Sequence, residues 1–146
     1  MIPAAVGKYL ATQLAALTYD AVGVTGNVFV EHMPSTPDLC IAVMGSGGNT
    51  VLGQASLPYD EPVVQVLIRG VKNDSRGAYD LARSVYSELQ GLTATTFDSG
   101  GVDEHRIIRI LASQSAPIPM GPDSTGRQRY STNFAIHTTA ITANRV

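Results

Sequence analysis

The spacing of apolar residues predicts two amphipathic helices. The apolar positions of the first recur every three or four residues: Val6, Tyr9, Leu10, Leu14 and Leu17. Those of the second, over about residues 75–90, follow the same spacing: Ala78, Leu81, Ala82, Val85 and Leu89. Pro3 suits the first turn of the first helix. Asp74 or Ser75 offers an N-cap for the second, and Gly91 stands where a left-handed glycine ends a helix.

Shorter apolar runs predict six strands, at residues 28–30, 39–44, 63–69, 93–97, 106–111 and 130–137. The run 63–69 is apolar on both sides except at Gln65, which predicts a central strand covered on both faces. The run 130–137 alternates in polarity, which predicts a sheet with one buried face. Glycines at 45–48 predict a turn within a long loop over 45–61, and prolines and glycines predict another loop over 117–126.

The order of these elements predicts the fold class. One helix and three strands are followed by a second helix and three more strands, which is too few helices for a doubly wound sheet. We therefore predict an α+β fold in which a mainly antiparallel β-sheet is packed by two α-helices. A chain of 146 residues is close to the size of one ordinary domain, so we expect a single domain over 1–146.

Composition narrows the classes of function. Charged residues make up 15% of the chain, against about 25% in ordinary soluble domains. So few charges are typical of a subunit that buries surface against partners. The net charge of −2 gives no strong attraction for nucleic acid or for an acidic membrane. The N-terminal segment is too short and too amphipathic for a membrane span and lacks a basic leader, so we expect synthesis in a cytoplasm.

Metal and cofactor chemistry finds little support in the sequence. The three histidines, at 32, 105 and 137, do not have the spacing of a zinc motif, and Cys40 stands alone in an apolar run that predicts burial. The glycine-rich residues 45–50 lack the Gly-Lys-Ser/Thr ending and the following helix of a phosphate loop. We predict no metal and no cofactor.

Catalysis is supported only weakly. Ser46, between two glycines, is the nearest approach to a catalytic nucleophile, with His105 as its base. His105 lies in a charged stretch, residues 103–106, which is better interpreted as the solvated start of a strand. We therefore predict that the protein is not an enzyme, and a small hydrolase is kept as an alternative.

Three segments carry a resemblance to a family. Residues 33–43 (MPSTPDLCIAV) resemble the Pro-x-x-Pro-Asp segment that leads into a strand in phage "minor capsid" proteins. Residues 59–66 (YDEPVVQV) are similar to their Tyr-Asp-x-Pro-x-x-Gln-Val stretch. Residues 120–134 (MGPDSTGRQRYSTNF) are similar to their Gly-x-Asp-x-x-Gly-Arg and Tyr-Ser-x-Asn-Phe ending. Together the segments span 33–134 and resemble the tail terminators of long-tailed bacteriophages.

The resemblance implies a structural role at the neck of the virion. In that family six subunits form a ring that caps the tail tube beneath the head. The implied partners are other copies in a homohexameric ring, the tail tube protein, and a head-completion or stopper protein. No membrane and no sequence-specific nucleic acid are implied, although DNA passes through the lumen of such a ring. The alternatives are another head–tail connector component, a tail-tube subunit, or a ligand-binding module.

Four residues are predicted to make contacts between subunits or rings: Tyr59, Asp123, Arg127 and Arg129. The last three place opposite charges in a loop held by proline and glycine, which suggests ion pairs across subunits. Tyr59 belongs to the long loop, which we expect to meet a neighbouring ring.

Overall fold

The computed structural model describes residues 1–49 and 57–140. The elements, in chain order, are α1 (Ile2–Gln13), β1 (Val28–Val30), β2 (Cys40–Asn49), β3 (Tyr59–Lys72), α2 (Ser75–Leu89), β4 (Thr93–Phe97), β5 (His105–Ala112), β6 (Ile118–Pro122) and β7 (Arg127–Thr139). The predicted α+β class is confirmed, because the two helices pack on one mainly antiparallel sheet.

The sheet is built around the pairing of β3 with β7. The strand order is β1-β2-β3-β7-β5-β4, and β6 pairs with β7 in line with β5, along the same edge. β3 and β7 run antiparallel from the Tyr59–Thr139 pair to the Lys72–Arg127 pair. With 14 and 13 residues in the two strands, this ladder is roughly 40 Å long. Its two ends therefore lie on opposite sides of the subunit.

Both helices cover the same face of the sheet. Alternate residues of the two central strands are fully buried beneath them: Val64, Val66, Ile68, Thr132, Phe134 and Ile136. The Asp74 carboxylate caps α2 by accepting the Gly77 N–H at 2.8 Å, and Gly91 follows the helix with φ +80°. The predicted cap and terminating glycine are thus confirmed. Within the described residues, no helix has the length and apolarity needed to cross a membrane.

The opposite side of the sheet carries no helix in the described part of the chain. We call it the open face, and its central residues are Val63, Gln65, Leu67, Asn133 and Ala135, all half-buried. The predicted cover on both faces of β3 is therefore complete on one face only. The reason is that both helices pack on the other face. Residues 33–38 overlie the open face near Arg69.

Two predicted loops contain strand. The glycine-rich residues 45–48 form a bulged part of β2, not a turn. At Gly48 a Cβ would lie 2.6 Å from the Glu61 carbonyl oxygen, so glycine here allows two strands to approach closely. Of the predicted loop over 45–61, residues 50–56 lie outside the described residues, and Tyr59 begins β3. The predicted loop over 117–126 includes β6, because a strand at the side of a sheet tolerates proline and glycine.

Gly70 controls how closely α2 approaches β3, and this can be tested. A Cβ at position 70 would lie 2.5 Å from the Ala78 Cβ on α2. We expect Gly70→Ala to lower the free energy of unfolding by about 1–3 kcal/mol, because the helix must move away from the sheet. Denaturant unfolding measures the change. Ala78→Gly removes the clash, so the double variant should lose less than the sum of the two single variants, and strict additivity would contradict the explanation.

Candidate interaction surface

Arg69 fastens a loop onto one end of the open face. Its side chain leaves β3 and is only 4% exposed. Nε donates to the Asp38 carbonyl at 3.1 Å, Nη1 to the Pro34 carbonyl at 2.7 Å, and Nη2 to the Pro37 carbonyl at 2.6 Å. A guanidinium presents its donors in a rigid fork, so three bonds fix the orientation of segment 33–38.

Arg127, on the neighbouring strand β7, holds the same segment. Its Nη1 donates to the Ser35 carbonyl at 2.6 Å and to Asp38 Oδ1 at 2.9 Å. Its Nε donates to Asp123 Oδ2 at 2.7 Å, and the Arg127 side chain is 11% exposed. We call Arg69, Arg127, Asp38 and Asp123 the arginine clasp, since together they tie segment 33–38 to two central strands.

Asp123 also shapes the turn between β6 and β7. Its Oδ1 accepts the Thr125 N–H and hydroxyl, each at 2.9 Å, and the Arg127 N–H at 3.0 Å. Partial burial works against ionisation, but these bonds and Arg127 hold the pKa of the Asp123 carboxyl well below its ordinary value. Burial likewise opposes the charge of Arg127, yet its bonds to Asp38 and Asp123 raise its pKa. Both groups therefore stay charged over the physiological pH range.

The structure brings together three of the four residues predicted from the sequence. Asp123 and Arg127 pair with each other inside one subunit, and a further contact across subunits stays a prediction. Arg129 lies two residues along the same face of β7. Within the described ranges its guanidinium makes one hydrogen bond, from Nε to the Gly121 carbonyl at 3.4 Å, and no ion pair. Tyr59 is half-buried at the far end of the β3–β7 ladder, opposite Thr139.

A groove opens beside the arginine clasp. It has a volume of about 270 Å³ and is lined by Met33, Leu67, Ile68, Arg69, Met120, Asp123 and Arg129. We call it the clasp groove. Its floor is apolar and Arg129 supplies a cation, an arrangement suited to an apolar side chain accompanied by a carboxylate. The sequence analysis missed Met33, Leu67 and Met120, because they come from three separate segments; the exposure of Met120 in a Pro/Gly-rich stretch becomes visible only in the fold.

A second, wider cavity of about 510 Å³ lies at the Tyr59 end of the ladder. Asp60, Glu61 and His105 are among its lining residues. Nearby, His137 Nε2 is 3.3 Å from Glu61 Oε1. The described residues contain no cluster of three or more His, Cys, Asp or Glu side chains suited to a metal ion.

The serine and histidine that would serve a hydrolase are not connected in the described structure. The Ser46 hydroxyl donates to the Val63 carbonyl at 3.4 Å. His105 Nδ1 lies 2.7 Å from the Asp103 carbonyl oxygen. No hydrogen bond among residues 1–49 and 57–140 joins Ser46 to a histidine, so the contact that would activate a serine nucleophile has not been assembled.

Comparison with known proteins gives one functional finding. A family model described as bacteriophage tail terminator protein matches residues 15–140. No curated protein matches the chain. Among solved structures, one matching chain is 19% identical, covers 92% of this chain and 92% of its own length, and superposes with a TM-score of 0.49.

The arginine clasp makes a prediction about stability. Arg69→Met leaves three backbone carbonyls without their donor, and we expect the free energy of unfolding to fall by about 2–4 kcal/mol. Arg76, on the outer side of α2 with an 85% exposed side chain, provides the matched control. Arg76→Met should cost no more than about 1 kcal/mol, since exposed ion pairs contribute little. Equal losses for the two variants in urea unfolding would contradict the clasp.

The ionisation of Asp123 predicts a pH dependence. An aspartate in the unfolded chain titrates near about 3.9, and the pKa of Asp123 in the fold lies below that. Its stabilising contribution is therefore complete above about pH 4 and is lost as the pH falls through the folded-state value. Asp123→Asn should be less stable than wild type at pH 7, and the gap should narrow below pH 4. A gap of constant size from pH 7 to pH 2 would show that ionisation of Asp123 is unimportant.

Proposed function

Because the chain belongs to the bacteriophage tail terminator protein family, it is a structural component of a virion, and from this we propose that six copies form a ring at the head–tail junction. The ring caps the tail tube and joins it to the head-completion or stopper protein. The observation that carries the proposal is the family match over residues 15–140.

The separation of the two cavities supports a position between two partners. The clasp groove lies beside Arg129 and the wider cavity beside Thr138, nine residues apart along β7, or roughly 30 Å. A subunit that touches a tube on one side and a neck protein on the other needs two such distant contact surfaces. We propose that Tyr59 belongs to one of them and Arg129 to the other.

The open face supports a role in an assembly. Leu111, Ile118 and Met120 are each about 40% exposed along β5 and β6, beside the half-buried Leu67 and Ala135. An apolar surface of this kind is typical of a region that a partner covers. Lateral contacts between unlike surfaces close a ring when the rotation per subunit fits, and they need no catalytic group.

Deleting the gene from its phage tests the proposed function. We expect negative-stain microscopy to show tails of uncontrolled length beside filled heads without tails, because nothing stops the tube or joins it to the head. A plasmid copy of the wild-type gene should restore joined particles. Ser46→Ala should restore them equally well, which separates a structural role from a hydrolase.

Other outcomes would assign the protein elsewhere. Heads that lose their DNA beside tails of normal length would indicate a stopper or head-completion protein. Heads without any tube would indicate a tube subunit. Particles of normal appearance would overturn the proposal altogether.

A further inference from the structure

The turn between β4 and β5 presents an isolated apolar side chain to solvent. Val102 is 95% exposed, the highest value for a large hydrophobic residue in the described parts of the chain. Single exposed apolar residues are common on protein surfaces, so exposure alone carries no conclusion. The surroundings of Val102 do support a conclusion, because they hold this residue rigidly. We call residues 98–104 the valine turn.

Hydrogen bonds within the valine turn fix its shape. The Asp98 carbonyl accepts the Gly101 N–H at 2.8 Å, and Asp98 Oδ2 accepts the Asp103 N–H at 3.0 Å. Glu104 Oε2 accepts the Gly100 N–H at 2.5 Å. The side chain of Val102 is thus carried on a backbone that has already lost its freedom, which lowers the entropic cost of inserting it into a partner.

An ion triad anchors the valine turn to α1. Lys8 Nζ donates to Asp98 Oδ2 at 2.7 Å and to Asp103 Oδ2 at 2.9 Å. These bonds raise the pKa of Lys8. Lys8 and the Asp103 N–H lower the pKa of Asp98, and the N-terminal ammonium and Lys8 lower that of Asp103, so all three groups are charged at neutral pH. The lysine side chain is about a quarter exposed and the two aspartates less. The turn is therefore fastened to a helix as well as to the sheet.

The clasp groove is complementary to this turn in shape and charge. Its apolar lining, Met33, Leu67 and Met120, suits a valine side chain. Around it three arginines (69, 127 and 129) stand against two aspartates (38 and 123), an excess of one positive charge in a chain of net charge −2. Among the described residues, Arg127 pairs with both aspartates and Arg69 donates to three backbone carbonyls. Arg129 makes a single hydrogen bond, at 3.4 Å, and is the least engaged of the three arginines. Glu104, exposed two residues from Val102, carries the opposite charge.

One subunit cannot bring its own valine turn to its own groove. The turn precedes β5, whose Ile107 pairs with Thr138, whereas the groove lies beside Arg129 at the other end of β7. Nine residues of strand separate these positions, roughly 30 Å. A contact between the two surfaces must therefore join two copies. Since it uses different patches on each, it repeats from copy to copy and closes a ring if the rotation fits.

We propose that the valine turn of one copy inserts Val102 into the clasp groove of the next copy, with Glu104 against Arg129. This contact would be the lateral interface of the ring, and in that respect it rests on the proposed function. The occupant is a second copy of this chain.

Two cysteines placed at the contact test it directly. In the deleted phage complemented with Val102→Cys/Met120→Cys, mild oxidation of the particles should link the copies into a ladder on a non-reducing gel, up to six chains. Either single variant should give no such ladder, because each copy then offers only one of the two thiols. The native Cys40 is fully buried and should not contribute. Absence of a ladder from joined, infectious particles would overturn the inference while the proposed function stands.

Charge reversal gives an independent test. We expect Arg129→Glu and Glu104→Arg each to reduce joined particles at least tenfold, and the double variant to recover most of the loss. Val102→Asp, which changes a side chain exposed in the isolated subunit, should also block joining while leaving the unfolding curve of the purified protein unchanged. Arg76→Glu on α2 is the matched control and should join normally.

The same variants separate failure of the inference from failure of the proposed function. Loss of joining in Arg129→Glu that Glu104→Arg does not relieve, together with no ladder from joined particles of Val102→Cys/Met120→Cys, would place a neck or tube protein in the groove and overturn the inference. Normal joining in Arg129→Glu, Glu104→Arg and Val102→Asp would do the same. If deletion of the gene itself leaves normal tails, the proposed function is wrong, and the inference that rests on it falls with it.

Discussion

The antiparallel pairing of β3 with β7 is the contact on which the rest of the structure depends. Both strands are long, and every other strand except β1 and β4 pairs directly with one of them. One face of the pair buries the core beneath two helices, and the other remains open. Because side chains alternate across a strand, a shift of β7 by one residue against β3 would bring Asn133 into the core and expose Phe134. The same register places Arg69 and Arg129 side by side, so it also sets the position of the clasp and the groove.

Local sequence rules predicted most of this fold, and their failures share a cause. The two helices and the six apolar strands follow from side-chain periodicity, although Leu14 and Leu17 lie beyond the end of α1. The Asp74 cap and the Gly91 terminator follow from residue type. The sequence rules failed at Gly45–Gly48 and at residues 118–122, where glycine and proline are tolerated because strands pair through their backbone. Whether such a segment finds a neighbouring strand depends on residues distant in the chain. The uncovered face of β3 was missed for the same reason, since apolar composition does not say which element covers a side chain.

The charged residues of the candidate surface could be predicted from the sequence, but the partners they bind could not. The opposite charges of Asp123, Arg127 and Arg129 are visible in the sequence. Which of these charges pair depends on segment 33–38, about 90 residues away in the sequence. The Ser35 carbonyl and the Asp38 carboxylate bind Arg127, whereas Arg129 faces the groove. The apolar half of the groove is invisible in the sequence because its three residues come from the β1–β2 connection, β3 and β6. The charged residues in the sequence locate the surface, and the fold determines which arginine a partner can bind.

The ion triad between Lys8 and the valine turn joins two segments that are far apart in the sequence. Lys8 is 90 residues from Asp98 and 95 from Asp103. During synthesis the turn therefore cannot take its anchored shape until most of the polypeptide has left the ribosome and the first helix has docked. Exposed apolar surface on an incomplete chain makes it liable to aggregate. If the valine turn makes the proposed lateral contact, this order of events delays that contact until both segments have been synthesised.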